Sequence, residues 1–334
     1  MGNTHFDALP EDRRVAALAA LHSVLGTIPV EAAVPLTGGI TTASVFRIDA
    51  GKHRYLLRVE GKPNPLRNPH QYVSMRIAAD AGIAPRVHYI HEADRVAVID
   101  FIEQQPLRIY PGGPLSRSQA LGALLRELRG TPTFPYYVDY PDIVARVWAH
   151  VCRTGLFAPG VLDPVNERLA EIRKAYVWDR ADSVSCHNDP VPNNVLFDGK
   201  RLWLIDWESA CRNDPLVDVS IMSDHLARNG ALQEALLLAW FGKVPDEELR
   251  TRLKLVRALT HLYYASVCFS AAATAPRESP DLDLTALTVA AYEQAFPAEG
   301  INRQRTPARW QALGKMFVAS FLSGCATASF EPVV

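Results

Sequence analysis

Apolar residues early in the chain recur at helical spacing. Ala16, Leu18, Leu21 and Leu25 follow the polar opening Pro10-Glu11-Asp12 and predict an amphipathic helix running to about Leu25. The rhythm then shortens. Ser44–Ile48 and Tyr55–Val59 read as strands joined by a turn at Asp49–Lys52. Arg67–Ala81 returns to a helical pattern that Gly82 stops. Val87–Ile90 and Val96–Phe101 read as two further strands. The first third of the chain is thus a strand-rich sheet with one inserted helix.

The pattern changes near Glu103-Gln104-Gln105-Pro106. Ser116–Arg129 is helical, with Leu121, Leu124, Leu125 and Leu128 on one face, and Ile143–Thr154 and Val165–Tyr176 follow the same period. Asn194–Phe197 and Leu202–Ile205 are short strands split by the turn Asp198-Gly199-Lys200. Beyond Asp214-Pro215 the pattern is helical to the end. The expectation is an α+β protein with a small β-rich N-terminal lobe over residues 1–103. A large, mainly α-helical C-terminal lobe holding one β-hairpin would cover residues 104–334.

Composition narrows the classes. Apolar residues make up 48% and charged residues 21% of the chain, ordinary values for a folded globular protein. The formal net charge is -1 and no Lys/Arg stripe stands out, so no nucleic-acid partner is expected. The longest apolar stretches, Leu262–Ala275 and Met316–Phe330, fall short of the ~20 residues a membrane span needs. They read as buried helices. Met1–Arg14 lacks the basic start and apolar core of a secretion signal, and Phe6 stands where N-myristoylation wants Ser or Thr. The five cysteines form no CxxC pair, which argues against a zinc site or disulfide framework and fits a cytoplasmic setting. A homodimer is compatible with all of this.

Chemistry concentrates between Ser185 and Asp206. His187 and Asp189 lie in a loop just before the hairpin, Asn194 opens it, and Asp206 ends it after the apolar run Leu202-Trp203-Leu204-Ile205. A tight hairpin brings Asp189, Asn194 and Asp206 to one end of the two strands, with the turn at the far end. Phosphoryl transfer needs such a set: a carboxylate to orient a hydroxyl and accept its proton, and oxygen ligands for magnesium against a triphosphate.

Cys186-His187-Asn188-Asp189-Pro190-Val191-Pro192-Asn193-Asn194-Val195-Leu196 resembles the catalytic loop of the aminoglycoside phosphotransferase and choline kinase superfamily. Leu204-Ile205-Asp206-Trp207-Glu208 resembles its metal-binding segment, and Asn213-Asp214-Pro215-Leu216-Val217-Asp218 the stretch after it. His-Asn-Asp is nearer the wording of the choline/ethanolamine branch than the His-Gly-Asp of the antibiotic-resistance branch. The resemblance implies a protein-kinase-like bilobal fold and an ATP- and Mg2+-dependent kinase. Asp189 would be the catalytic base, and Asn194 and Asp206 the metal ligands. His187 would be structural. Asp218 would tie the loop down, or cap a helix.

The N-terminal part resembles the same superfamily more weakly, over Leu36–Leu128. Thr37-Gly38-Gly39-Ile40-Thr41-Thr42 would be the loop over the triphosphate, with Gly38, Gly39, Thr41 and Thr42 as contacts. Arg58, in Tyr55-Leu56-Leu57-Arg58-Val59, matches the basic strand residue that pairs with phosphate. Its acidic partner should sit on the helix Arg67–Ala81, which has no Glu; His70, Gln71 and Tyr72 occupy the stretch. Either Gln71 serves as a neutral partner or the helix is registered differently. The Asp100 carbonyl and the Ile102 N–H would bond adenine from the segment linking the lobes.

The acceptor would be a hydroxyl on a small molecule. Trp207, Tyr263 and Tyr264 as aromatic walls, with Glu208 and Asp224 as acids, would suit an ammonium group such as that of choline or ethanolamine. An aminoglycoside or a sugar is the alternative. A protein kinase fits less well, because Trp-Glu follows Asp206 and no Ala-Pro-Glu segment comes after it. A weak pseudokinase or nucleotide-binding module draws only on the missing helix Glu.

Overall fold

A computed structural model describes residues 6, 9–36, 43–61, 68–176, 178–296 and 306–327, the side chains of 325–327 excepted. Helix α1 (Glu11–Leu25) leads into β1 (Ala32–Pro35), β2 (Ser44–Ala50) and β3 (His53–Val59); α2 (Gln71–Asp80) then precedes β4 (Val87–His91) and β5 (Val96–Asp100). The five strands form one antiparallel sheet in the order β1-β2-β3-β5-β4. Period-two alternation decides its faces. Phe46, Ile48, Ala50, Tyr55, Leu57 and Val59 point into a core with Val96, Val98 and the Ala17, Ala20, Leu21 and Leu25 stripe of α1. The intervening positions of β3, Arg54, Leu56 and Arg58, therefore lie on the opposite face.

Helix α3 (Gly113–Arg129) follows the connector. After α4 (Tyr140–Arg153) and α5 (Asp163–Ala175) come β6 (Val184–Cys186), the hairpin β7 (Val195–Phe197) and β8 (Leu202–Leu204), and β9 (Cys211–Asn213), which pairs with β6. Helices α6 (Leu216–Leu226), α7 (Gly230–Phe241), α8 (Glu247–Ala272), α9 (Val289–Ala295) and α10 (Pro307–Thr327) complete the order. Side-chain caps start them: in α7, for example, Asn229 accepts from the Leu232 N–H at 3.0 Å, and in α8 Asp246 accepts from the Leu249 N–H at 2.9 Å. No helix of the described residues is long and apolar enough to cross a membrane.

The chain divides into two compact units that interleave in sequence. The first comprises Met1–Tyr137, Val184–Arg212 and His225–Gly242. It holds the five-stranded sheet, α3, the hairpin and α7. Helices α3 and α7 pack at Gly122, where any Cβ would collide with the backbone of Leu236. The second comprises Val138–Ser183, Asn213–Asp224 and Lys243–Val334, built on α8 packed against α4 and α10. The linear division at 103/104 is one of roles and stays an expectation.

Most expected elements occur within a few residues of their expected bounds. The strands β6 and β9 carry no sequence signal of their own: at three residues each they exist through pairing with one another across about 25 positions, whereas β1 pairs with its neighbour β2. The expected helix over Arg67–Ala81 is shorter, Gln71–Asp80, with residues 69–70 forming a turn ahead of it.

Candidate active site

All the residues of the catalytic strip lie in the first unit. Hairpin β7–β8 pairs Val195 with Leu204 and Phe197 with Leu202. Its turn is fixed by the Asp198 carboxylate, which accepts the N–H groups of Lys200 and Arg201, each at 2.8 Å, and by Gly199 at φ 94°. At the opposite end the Ile205 N–H reaches the Asn194 carbonyl at 3.0 Å, so Asp206 emerges beside Asn194. The Asn194 amide donates to the Asp189 carbonyl (2.9 Å) and carboxylate (3.2 Å). The hairpin thus gathers Asp189, Asn194 and Asp206 as the sequence led one to expect.

His187 holds the loop to this end. It is fully buried, and its ring stands 4.7 Å from that of Trp207. Its Nε2 donates to the Ile205 carbonyl at 2.8 Å, which fixes the tautomer because a carbonyl can only accept. Burial pushes its pKa down to about 4, so the ring is neutral at pH 7. Asn188 and Asp206 adopt positive φ, 62° and 64°, a conformation that is costly for most side chains and recurs at functional sites. The Asn188 amide gains hydrogen bonds there, to the Ser209 carbonyl at 2.9 Å and to Cys211 Sγ at 3.3 Å.

Trp207, expected as a wall of the acceptor site, is instead a core residue. It is 2% exposed, packed on His187 and Phe134, and its indole N–H is given to the Leu204 carbonyl at 3.2 Å. Glu208, the next residue, is half-buried and reaches Arg58.

Arg58 is the electrostatic centre of the unit. Its Nη1 meets Asp206 Oδ1 at 2.8 Å, its Nη2 meets Glu208 Oε2 at 3.0 Å, and its Nε lies 3.4 Å from Glu60 Oε1. Burial opposes the charge, but Asp206, Glu208 and Glu60 more than offset it and raise the Arg58 pKa. Gln71 is not the neutral partner of Arg58. Its amide donates to Glu60 Oε2 at 3.1 Å, and Glu60 is the group that faces the arginine. The carboxylate expected on the helix stands instead at the end of the strand. The signal was present: Glu60 is two residues beyond Arg58 and so shares its face of the strand. Burial, with the Glu60 carboxylate beside it, also raises the Tyr72 pKa. Helix α2 is tied to the segment after Asp206 through the Ala210 carbonyl, which accepts from Ser74 Oγ at 2.8 Å; Asn68, just before the helix, donates to it at 2.5 Å.

Gly38, Gly39, Thr41 and Thr42 lie outside the described residues. Asp100 ends β5, gives its N–H to the Arg86 carbonyl at 2.9 Å, and pairs its carboxylate with His88 at 2.6 Å; Ile102 lies just beyond.

The second unit holds the other expected residues. Asp218 is buried, but the cap of α6 is Asp214, whose Oδ1 accepts the Leu216 N–H at 2.8 Å; the capping role expected of Asp218 belongs four residues earlier. Asp214 also accepts from the Tyr176 hydroxyl at 2.7 Å. Asp224 is shared by Arg257 Nε at 2.9 Å and His261 Nε2 at 2.8 Å, so its charge is already compensated. Tyr263 and Tyr264 are half-buried in an aromatic run, with Tyr140 6.1 Å from Tyr263 and Phe317 5.7 Å from Tyr264.

The donors suit magnesium. The amide N–H groups of Asn194 go to Asp189, which leaves its oxygen for a cation, and Asp206 and Glu208 add carboxylates. Among the described residues no three His, Cys, Asp or Glu side chains form an all-protein cage. Magnesium needs none when substrate phosphates and water complete its shell.

The sheet, the loop-hairpin strip and the Arg58–Asp206 pair together define a phosphotransferase. The chain belongs to the phosphotransferase enzyme family (APH), whose sequence model matches residues 32–255, more than half of its length. Its fold is of the kinase-like α+β class. A choline/ethanolamine kinase family protein from Mesorhizobium loti superposes with TM-score 0.62 at 24% identity, covering 94% of this chain and 99% of that one. The spectinomycin phosphotransferase APH(9)-Ia, solved with ADP and spectinomycin, gives 0.60 at 13% identity over 95% and 98%. In sequence, Protein LicA of Haemophilus influenzae is 46% identical over 48 residues, 14% of this chain and only 18% of that relative's length.

Proposed function

We propose that this enzyme transfers the γ-phosphoryl group of ATP, with magnesium, to the hydroxyl of a choline- or ethanolamine-like amino alcohol. The observation that carries the chemistry is the join between Asp189 and Asn194, at 3.2 Å, beside Asp206 at the open end of one hairpin. In this reading Asp189 accepts the proton of the acceptor hydroxyl as it attacks phosphorus. Asn194 and Asp206 would hold magnesium, which supplies charge neutralisation on the phosphates. Arg58 would release part of its hold on Asp206 and Glu208 to bind phosphate oxygens, where a guanidinium bonds well. Gly38, Gly39, Thr41 and Thr42 would cover the triphosphate, and the Asp100 carbonyl and Ile102 N–H would meet adenine. Asp218 would act structurally. A cytoplasmic setting follows the substrates.

The amino-alcohol acceptor is supported by the Mesorhizobium loti likeness. In the first unit Glu208 would serve it; in the second, Tyr263 and Tyr264 stay the aromatic candidates, and Asp224 is less available because Arg257 pairs with it and His261 bonds to it. An aminoglycoside or sugar acceptor is the second reading, supported by the nearly equal fold likeness to the spectinomycin enzyme. The test is a phosphate-transfer panel of choline, ethanolamine, aminoglycosides and sugars with magnesium and ATP. Turnover of an amino alcohol alone is expected. Preference for an aminoglycoside or a sugar would overturn the acceptor, and transfer to none of them would overturn the reaction.

A further inference from the structure

Arg58 divides its guanidinium between two kinds of partner. Its two Nη ends hold Asp206 and Glu208, the groups that the proposed reaction would turn towards metal and substrate. Its Nε edge faces Glu60, which takes no part in that reaction. Glu60 continues the line of β3, its N–H bonded to the Arg95 carbonyl at 3.0 Å, so it projects on the same face as Arg58. It is 4% exposed, and a carboxylate that deep must be held by donors. Gln71, the first residue of α2 and itself 8% exposed, supplies one through its amide at 3.1 Å.

We propose that Glu60, held by Gln71, is the positioning residue that keeps Arg58 aimed at the nucleotide phosphates. The carboxylate expected on the helix has moved to the end of the strand, and the helix offers an amide that orients it. This inference rests on the proposed phosphate-binding role of Arg58. The division of labour follows from guanidinium geometry: one edge anchored by Glu60, the two Nη groups left to exchange carboxylate oxygens for phosphate oxygens.

The experiment measures kcat and the KM for ATP in four variants, each checked for folding by circular dichroism. Glu60→Gln removes the charge that faces Arg58 Nε at 3.4 Å and is expected to raise the KM for ATP by about tenfold, with a smaller change in kcat. The double variant Glu60→Gln/Gln71→Glu returns the charge from the helix side and is expected to recover most of the loss. Gln71→Met, which keeps Glu60 but removes the amide that orients it, should raise the KM for ATP several-fold and serves where Glu60→Gln does not fold. Arg58→Met separates the two layers of the argument. If Arg58→Met raises the KM while Glu60→Gln and Gln71→Met do not, or if the double variant is no better than Glu60→Gln, the role of Glu60 is overturned and that of Arg58 stands. If Arg58→Met leaves the KM unchanged, the phosphate-binding reading falls, and this inference with it.

Discussion

Arg58 Nη1 and Asp206 Oδ1 stand 2.8 Å apart, joining the third strand of the sheet to the end of a hairpin 148 residues later. The pair joins the cation proposed for phosphate to the carboxylate proposed for metal, so it sets a competition. With Arg58→Met the three carboxylates around it would lose their shared counter-charge. The variant should bind nucleotide about tenfold or more weakly, since charge-assisted hydrogen bonds are lost, yet bind magnesium alone more tightly than the parent. Calorimetric titration with each ligand checks both directions. Equal magnesium affinity in parent and variant would remove the competition.

Trp207 tests whether an aromatic residue near the chemistry belongs to the core or to the acceptor site. Its burial against His187 and Phe134 predicts that Trp207→Ala costs ~3–5 kcal/mol of stability, the usual range for a large core truncation. Trp207→Phe should lower the melting temperature while leaving the KM for the acceptor near that of the parent. A raised acceptor KM at unchanged melting temperature would return the residue to the substrate wall.

Asn188 gives a physical reason for the middle position of His-Asn-Asp. At φ 62° most side chains are strained, whereas Gly and Asn are tolerated. Both branch wordings meet the same backbone demand, and the Asn here adds cross-links to Ser209 and Cys211. The residue that leaned towards an amino alcohol in the sequence is thus explained by the backbone. Asn188→Val should cost at least the ~1–2 kcal/mol of forcing a branched residue into this region, and more than Asn188→Gly, in denaturant unfolding. Equal losses would assign the effect to the lost hydrogen bonds instead.

His187 predicts how stability responds to acid. Its pKa in the folded protein is about 4, below the 6.5 of a free imidazole, so the unfolded chain takes up the proton first. The contribution is fully present above pH 6.5 and is lost as pH falls towards 4, at most on the order of 3 kcal/mol. The apparent unfolding midpoint should fall over this window in the parent and more shallowly in His187→Gln. Parallel slopes would show that other groups dominate.

Much of this was legible in the sequence, for reasons that differ by element. The strand alternation that buries Leu57 and Val59 also assigns Arg58 to the other face, and both follow from period two alone. The hairpin was legible because Asp198-Gly199-Lys200 is a turn by local chemistry. The partner of Arg58 was not, because a template pointed to the helix while the carboxylate sits on the strand. The role of Trp207 was hidden for another reason: an aromatic residue next to a metal-binding Asp reads the same whether it faces substrate or core, and only packing separates the two. The pairing of Asp224 with Arg257 and its bond to His261 depend on residues 33 or more positions along the chain, beyond any local pattern.

The central claim is that Asp189 is the base of a phosphoryl transfer to a small amino alcohol. The most direct measurement follows single-turnover formation of the phosphorylated product from ATP and choline or ethanolamine, comparing the parent with Asp189→Asn. The account predicts product with the parent and a loss of ~10²–10⁴-fold in the transfer rate with the variant, the usual contribution of a general base, while nucleotide binding stays largely intact. Transfer at the parental rate in Asp189→Asn would contradict it.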